Sequence, residues 1–230
     1  MSAYIRFRPN PITDYLTEHW EQIRDEFVAQ RFAKTGKNLL ELQDESTKLN
    51  YVSSRRKEKL FEGRIVAAAL YVKPEVLTIP EAKQMNWQPN EIERRWEDNI
   101  DQMPTMKKWL NMYQEHLASV VFYAAQPGSV INHHFGVEST RYNFRVHLCL
   151  TGDPDCKFNI ENEIYTWVPG DLFAFDDAMY FHGIKHRGTR PRIVLAVDIK
   201  KTTLQDFAID FVERPFIPDA QKPFPVIYDW

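Results

Sequence analysis

The sequence has little of several things that would mark it at a glance. It has two cysteines, Cys149 and Cys156, in 230 residues. That excludes a disulfide scaffold and a Cys-rich zinc module, and it suits a reducing compartment. The longest apolar runs, Ile65–Val72 and Leu117–Ala125, fall far short of the roughly 20 residues a membrane helix needs. Residues 1–10 carry Arg6 and Arg8 but not the apolar stretch of a signal peptide. Neither sign of charge dominates: the formal net charge is -3, so there is no global electrostatic case for nucleic acid. The short basic run Arg55, Arg56, Lys57 and Lys59 reads as a solvated helix face. There is no internal repeat or low-complexity segment. A soluble, cytoplasmic protein of one domain, or of one domain with a substantial extension, is expected, without membrane or nucleic-acid partners and with its oligomeric state open.

With 43% hydrophobic residues and 13% aromatics, the chain can bury a sizeable core. Glycine is scarce and unevenly placed: six of the eight lie between Gly128 and Gly188. Glycine concentrates where turns between short strands demand positive φ, so the first half reads as helical and the second as β. Leu16, Trp20, Ile23 and Phe27 recur at helical spacing behind Pro11, with Asn10 or Thr13 as the cap, and the pattern stops near Thr35-Gly36. Further helices are predicted over 90–100 and from Pro104 onward, a strand over 64–72, and a polar loop over 37–53. From Ser119, strands are predicted over 119–125, 143–150, 158–160, 164–167, 171–175 and 192–199, with Pro127-Gly128 and Pro169-Gly170 as turns. This is a mainly β, α+β chain, a sandwich, jelly roll or barrel. Its divisions are 1–118 (helical, with at least one strand, packed on the barrel), 119–200 (the barrel) and 201–230 (a C-terminal extension).

Five of the seven histidines, His133, His134, His147, His182 and His186, fall in the β half. Several imidazoles on neighbouring short strands suit a metal centre, because neutral imidazole is a common ligand for iron and zinc. The segment 143–150 alternates, with Phe144, Val146, Leu148 and Leu150 on one face and Arg145, His147 and Cys149 on the other. Inside a barrel, Arg145 needs an anion to offset its burial; the alternative is a solvent-exposed face. Arg192 opens an apolar β-branched run ten residues after His182. Its planar fork suits a carboxylate.

Taken together, the stretch from Gln126 to Ile199 resembles the aspartyl/asparaginyl β-hydroxylase family of Fe(II)- and 2-oxoglutarate-dependent oxygenases. The pieces are Pro127-Gly128, His134-Phe135-Gly136, Arg145-Val146-His147-Leu148, Trp167-Val168-Pro169-Gly170, Phe175-Asp176-Asp177 before His182, and the run from Arg192 to Asp198. The resemblance implies a double-stranded β-helix, a cupin-like jelly roll with the helical half packed on one sheet. It implies Fe(II) held by His134 and His182, with Gly136 where other such oxygenases place a carboxylate, and 2-oxoglutarate contacted by Arg145, His147 and Arg192. O2 and 2-oxoglutarate would then hydroxylate an unactivated C–H of a small molecule or peptide of amino-acid type, yielding succinate and CO2.

The chain departs from that family at several points. The connection between His134 and His147 is two residues longer than expected, and 177–182 is one residue longer. Tyr123 stands where the family has a small hydroxyl residue touching the cosubstrate. Cys149 stands at a usual glycine, where a lumenal thiol would be open to oxidation. Glu138 is the alternative carboxylate ligand, and His133 is the rival to His134. The empty carboxylate position also admits halogenation. The competing readings are a non-catalytic jelly-roll binding or sensor protein, and a cupin-type metalloenzyme that does not use 2-oxoglutarate.

Overall fold

The structure, a computed structural model, describes residues 4–36, 61–62, 65–72, 100–136 and 142–209, the side chains of 32, 34, 35 and 61–72 excepted. The expected loop over 37–53 and nearly all of the helix expected over 90–100 lie outside the described residues. Among the described residues, eleven strands form two antiparallel sheets. The larger has the order β1 (Tyr4–Ile5), β9 (Leu172–Phe175), β6 (Asn143–Thr151), β11 (Arg192–Lys200), β4 (Leu117–Ala125) and β3 (Ile65–Val72). The smaller has the order β2 (Phe61–Glu62), β5 (Val130–His134), β10 (His182–His186), β7 (Cys156–Ile160) and β8 (Glu163–Thr166). From β4 to β11 the chain crosses from one sheet to the other at every connection except the β7–β8 hairpin. That is the double-stranded β-helix that the family resemblance implies.

The turns follow from their residues. Gly128 (φ 80°) and Gly170 (φ 90°) take the left-handed position behind a proline. Each turn closes with a backbone bond, Ser129 N to Gln126 O at 3.1 Å and Asp171 N to Val168 O at 2.9 Å. This is the type II pattern, in which proline presets the first corner and glycine the second.

The alternation of β6 separates two cores. Phe144, Val146, Leu148 and Leu150 face outward into a cluster with Val120, Phe122, Leu195 and Val197. Helices α1 (Pro11–Glu18), α2 (Trp20–Thr35) and α3 (Pro104–Tyr113) cover that face through Leu16, Ile23, Phe27, Met106 and Trp109. Phe27 stacks on Phe122 at 4.1 Å and 7°; truncating such a buried ring costs about 3–5 kcal/mol. The expected single helix from Pro11 is two, broken at His19, whose φ of -111° and ψ of 17° end α1. Asn10 is its cap, accepting from Thr13 N at 3.1 Å. The first 118 residues carry the expected strand, β3, which with β1 extends the larger sheet, while β2 extends the smaller.

The other face of β6 points between the sheets, into a second core of Phe158, Ile160, Trp167, Phe173, Phe175 and Ile184. A solvent-exposed Arg145–His147 face is thereby excluded. No helix among the described residues is long and apolar enough to cross a membrane.

Candidate active site

One cavity between the sheets brings together Tyr123, His134, Arg145, His147, His182 and Arg192, with Ile131, Phe158 and Val194 in its walls. The six polar residues come from strands β4, β5, β6, β10 and β11, so only the closed barrel assembles them.

His134 and His182 are directly opposed in the β5–β10 ladder, and their ring centroids are 4.3 Å apart. A register shift lies between His182 and Ile184, where β5 carries one extra residue. Gly183 permits this bulge: a Cβ there would lie 2.8 Å from Ile131 O and 3.2 Å from the His133 ring. Each ring uses Nδ1 in the same way. His134 Nδ1 lies 2.8 Å from Asn132 O, and His182 Nδ1 lies 2.8 Å from Tyr180 O. A carbonyl only accepts, so Nδ1 carries the proton on both rings, and both Nε2 lone pairs are left for a ligand. Burial pushes His134 down to about 4 and His182 well below its ordinary value, with the neighbouring imidazole adding to the latter. Two neutral, oriented imidazoles fit two of the donor positions of a divalent metal such as iron.

Among the described residues no group of three His, Cys, Asp or Glu side chains surrounds that position, and Glu138 lies outside them. Position 136 does not supply a carboxylate, and the structure shows why it has no side chain. A Cβ on Gly136 would lie 2.6 Å from Asp177 Cγ. Asp177, fully buried, fills that space, and its backbone carbonyl accepts from Gly136 N at 2.8 Å.

Arg145 lines the cavity, but its anions come from the protein. Nε and Nη2 each donate at 2.8 Å to Asp198, and Nη1 lies 3.0 Å from Asp177. Ser119 Oγ also donates to Asp198. Burial works against the Arg145 charge, but the two carboxylates outweigh it and raise its pKa well above the ordinary value. The need for an anion, argued from the cost of burying arginine, is therefore met internally. Sequence reasoning missed Asp177 and Asp198 in this role. Asp198 shares the lumenal side of β11 with Arg192 by strand alternation, which was a usable signal; that it pairs with Arg145 depends on register.

Arg192 is different. It is 1% exposed, its Nε and Nη2 have no hydrogen-bond partner, and burial lowers its pKa. His147 Nδ1 is likewise buried without a partner; burial, then Arg192 and Arg145, hold that ring neutral. Tyr123 lines the cavity, its phenol pKa raised by burial.

Two of the candidate residues are not at the site. His133 turns away from the cavity, its Nε2 2.6 Å from Asn159 Oδ1 and its ring stacked on Phe181, because the residue beside His134 projects to the other face of β5. Cys149 is fully buried among the aromatic residues, with Sγ 3.5 Å from Thr151 O. Burial pushes its thiol up to about 12, so it stays protonated and shielded. Both cysteines are free thiols.

A family model of aspartyl/asparaginyl beta-hydroxylases matches residues 17–202. The chain belongs to this family. The match reaches well beyond the stretch that carries the resemblance in the sequence, and takes in α2, α3 and β3. Comparison with curated proteins gives no match. Similar solved structures include a predicted oxalate decarboxylase from Thermotoga maritima (20% identity, 40% of this chain and 73% of that one, TM-score 0.32). Others are a double-stranded beta-helix protein from Klebsiella pneumoniae (20%, 37% and 69%, 0.31) and a cupin superfamily protein from Desulfitobacterium hafniense (15%, 36% and 66%, 0.29). The family supports an oxygenase-type hydroxylase.

Proposed function

We propose that this hydroxylase holds Fe(II) through His134 and His182 and uses 2-oxoglutarate as cosubstrate. The reaction is R–H + O2 + 2-oxoglutarate → R–OH + succinate + CO2, with R–H an unactivated C–H of an Asp- or Asn-like group on a free amino acid, a carrier or a peptide. The observation that carries this reading is the pair of opposed, neutral imidazoles in the same cavity as an unneutralised arginine. Bound iron supplies the oxidative chemistry. The chain's residues orient and exclude. The carbonyls of Asn132 and Tyr180 fix the two imidazole tautomers, and Arg192 offers a fork for the far carboxylate of the oxo acid. His147 and Tyr123 add polar contacts beside it, while Phe158, Val194 and Ile131 keep the walls dry. Asp177 beside Gly136 favours hydroxylation over halogenation, because a fixed carboxylate repels a halide from that space. Arg192, rather than Arg145, also argues against a cupin metal site without an oxo acid, since Arg145 has its own carboxylates. The two free thiols suit a cytoplasmic enzyme acting on a small molecule or peptide.

The deciding experiment is anaerobic titration with Fe(II) and 2-oxoglutarate. The expected result is a weak visible charge-transfer band, and succinate released on admitting air. Absence of both would favour a binding protein.

A further inference from the structure

Arg192 is fully buried, yet no carboxylate pairs with it among the described residues. Asp198, on the same strand, is six positions away, about 20 Å along an extended chain, and is engaged with Arg145. What the guanidinium does meet is an aromatic face: its central carbon lies 4.8 Å from the centroid of the Trp167 ring. Trp167 is 5% exposed, and its own indole N–H has no acceptor. His147 stands edge-on to the same indole, at 5.6 Å and 89°, with Nδ1 unpartnered. Three buried polar groups, from β6, from β11 and from the turn after β8, thus gather around one indole with their hydrogen-bonding capacity unused. Native cores satisfy such groups, and clustered exceptions ask for a ligand.

The geometry points to Trp167 as the positioning residue of the anion end of this cavity. A π face attracts a guanidinium and fixes its plane without cancelling its charge. A carboxylate partner would also fix it, but would neutralise it, as Asp177 and Asp198 do for Arg145. Trp167 therefore keeps Arg192 both placed and fully cationic, ready for the second carboxylate of a dicarboxylic oxo acid. This assignment rests on the 2-oxoglutarate reading above and deepens it, since it divides recognition of the oxo acid between a metal-chelating head and an arginine–tryptophan tail site.

The test is calorimetric binding of 2-oxoglutarate to the Mn(II)-loaded full chain, with 2-oxobutyrate, which lacks the far carboxylate, measured in parallel. Trp167→Leu should weaken 2-oxoglutarate by about tenfold, and Trp167→Phe, which keeps a weaker π face, by less, with 2-oxobutyrate changed by under about twofold in both. Equal losses for the two oxo acids, or none for either, would overturn the assignment. A readout on unsubstituted protein covers the case in which Trp167→Leu does not fold. In protein labelled with 5-fluorotryptophan, the 19F resonance assigned to Trp167 through Trp167→Phe should move with 2-oxoglutarate and stay still with 2-oxobutyrate. A resonance that ignores both sinks the idea. If unsubstituted protein binds no 2-oxoglutarate at all, the cosubstrate reading itself fails, and the role of Trp167 goes with it.

Discussion

His134 and His182 sit opposite one another across two strands, rings 4.3 Å apart, each with Nδ1 held by the carbonyl two residues before it. The pairing makes the two residues equivalent. His134→Ala and His182→Ala should each abolish Mn(II) binding in calorimetry and succinate release in air, with far-UV circular dichroism unchanged. The loss should exceed the roughly 10–100-fold that changing even an outer-shell partner of a ligand produces. Either variant retaining full metal affinity would move the centre elsewhere.

Gly136 is kept small by Asp177, which is fully buried and held by Arg145. Gly136→Ala should destabilise the protein by about 1–3 kcal/mol through overpacking, and Gly136→Asp should not install a working third ligand. In an Asp177→Ala background the penalty at 136 should shrink. Urea unfolding of the four members of this cycle gives the coupling directly; strict additivity would mean the two positions do not collide.

The two arginines should fail in different ways. Arg145→Met strands Asp177 and Asp198 in the interior, and breaking a buried ion network from one side costs about 3–5 kcal/mol. Arg192→Met strands no carboxylate, so the melting temperature should hold or rise while KM for 2-oxoglutarate climbs. The melting curves and the KM-to-kcat split separate these outcomes; a stable Arg145→Met would remove the network from any structural role.

Acid should weaken the metal-free fold earlier than carboxylates alone would make it. Burial lowers the pKa of His134 (to about 4), His147, His182 and His186. At His186 the tautomer is also fixed, since Nε2 lies 2.8 Å from Arg190 O and Gly188 N donates to Nδ1. Below an ordinary histidine pKa of about 6.5 the unfolded chain binds protons that the folded one refuses. Stability is therefore full above that value and falls as pH drops toward the folded pKa values, by up to about 1.4 kcal/mol per pH unit for each ring. Thermal melts at pH 7, 6 and 5 should show a progressive decline, shallower in His147→Gln; a flat profile would mean that the rings titrate normally.

The turns, the alternating strand 143–150 and the histidine–arginine pair were legible because each depends on local rules: proline and glycine dihedrals, two-residue periodicity, and donor chemistry at short spacing. His133 was not separable from His134 in the sequence, because adjacent residues on a strand differ only in the face they take, and the bulge opposite Gly183 decides that face. Alternation puts Arg145 and His147 on one face of their strand without saying whether that face meets solvent or the cavity, and the carboxylates that pair with Arg145 depend on long-range register.

By itself, then, the sequence determined a glycine-punctuated barrel, the side chains able to ligate a metal, and the presence of two arginines that burial would make demanding. The tertiary structure alone decided which arginine remains available. Strand register sets Asp198 beside Arg145 and the turn after β9 brings Asp177 to its other side, whereas Arg192 meets the face of Trp167 and, among the described residues, no carboxylate. Register and inter-sheet packing are long-range properties. They are summed over the whole ladder, and a one-residue slip would reverse every face, so no local spacing rule encodes them.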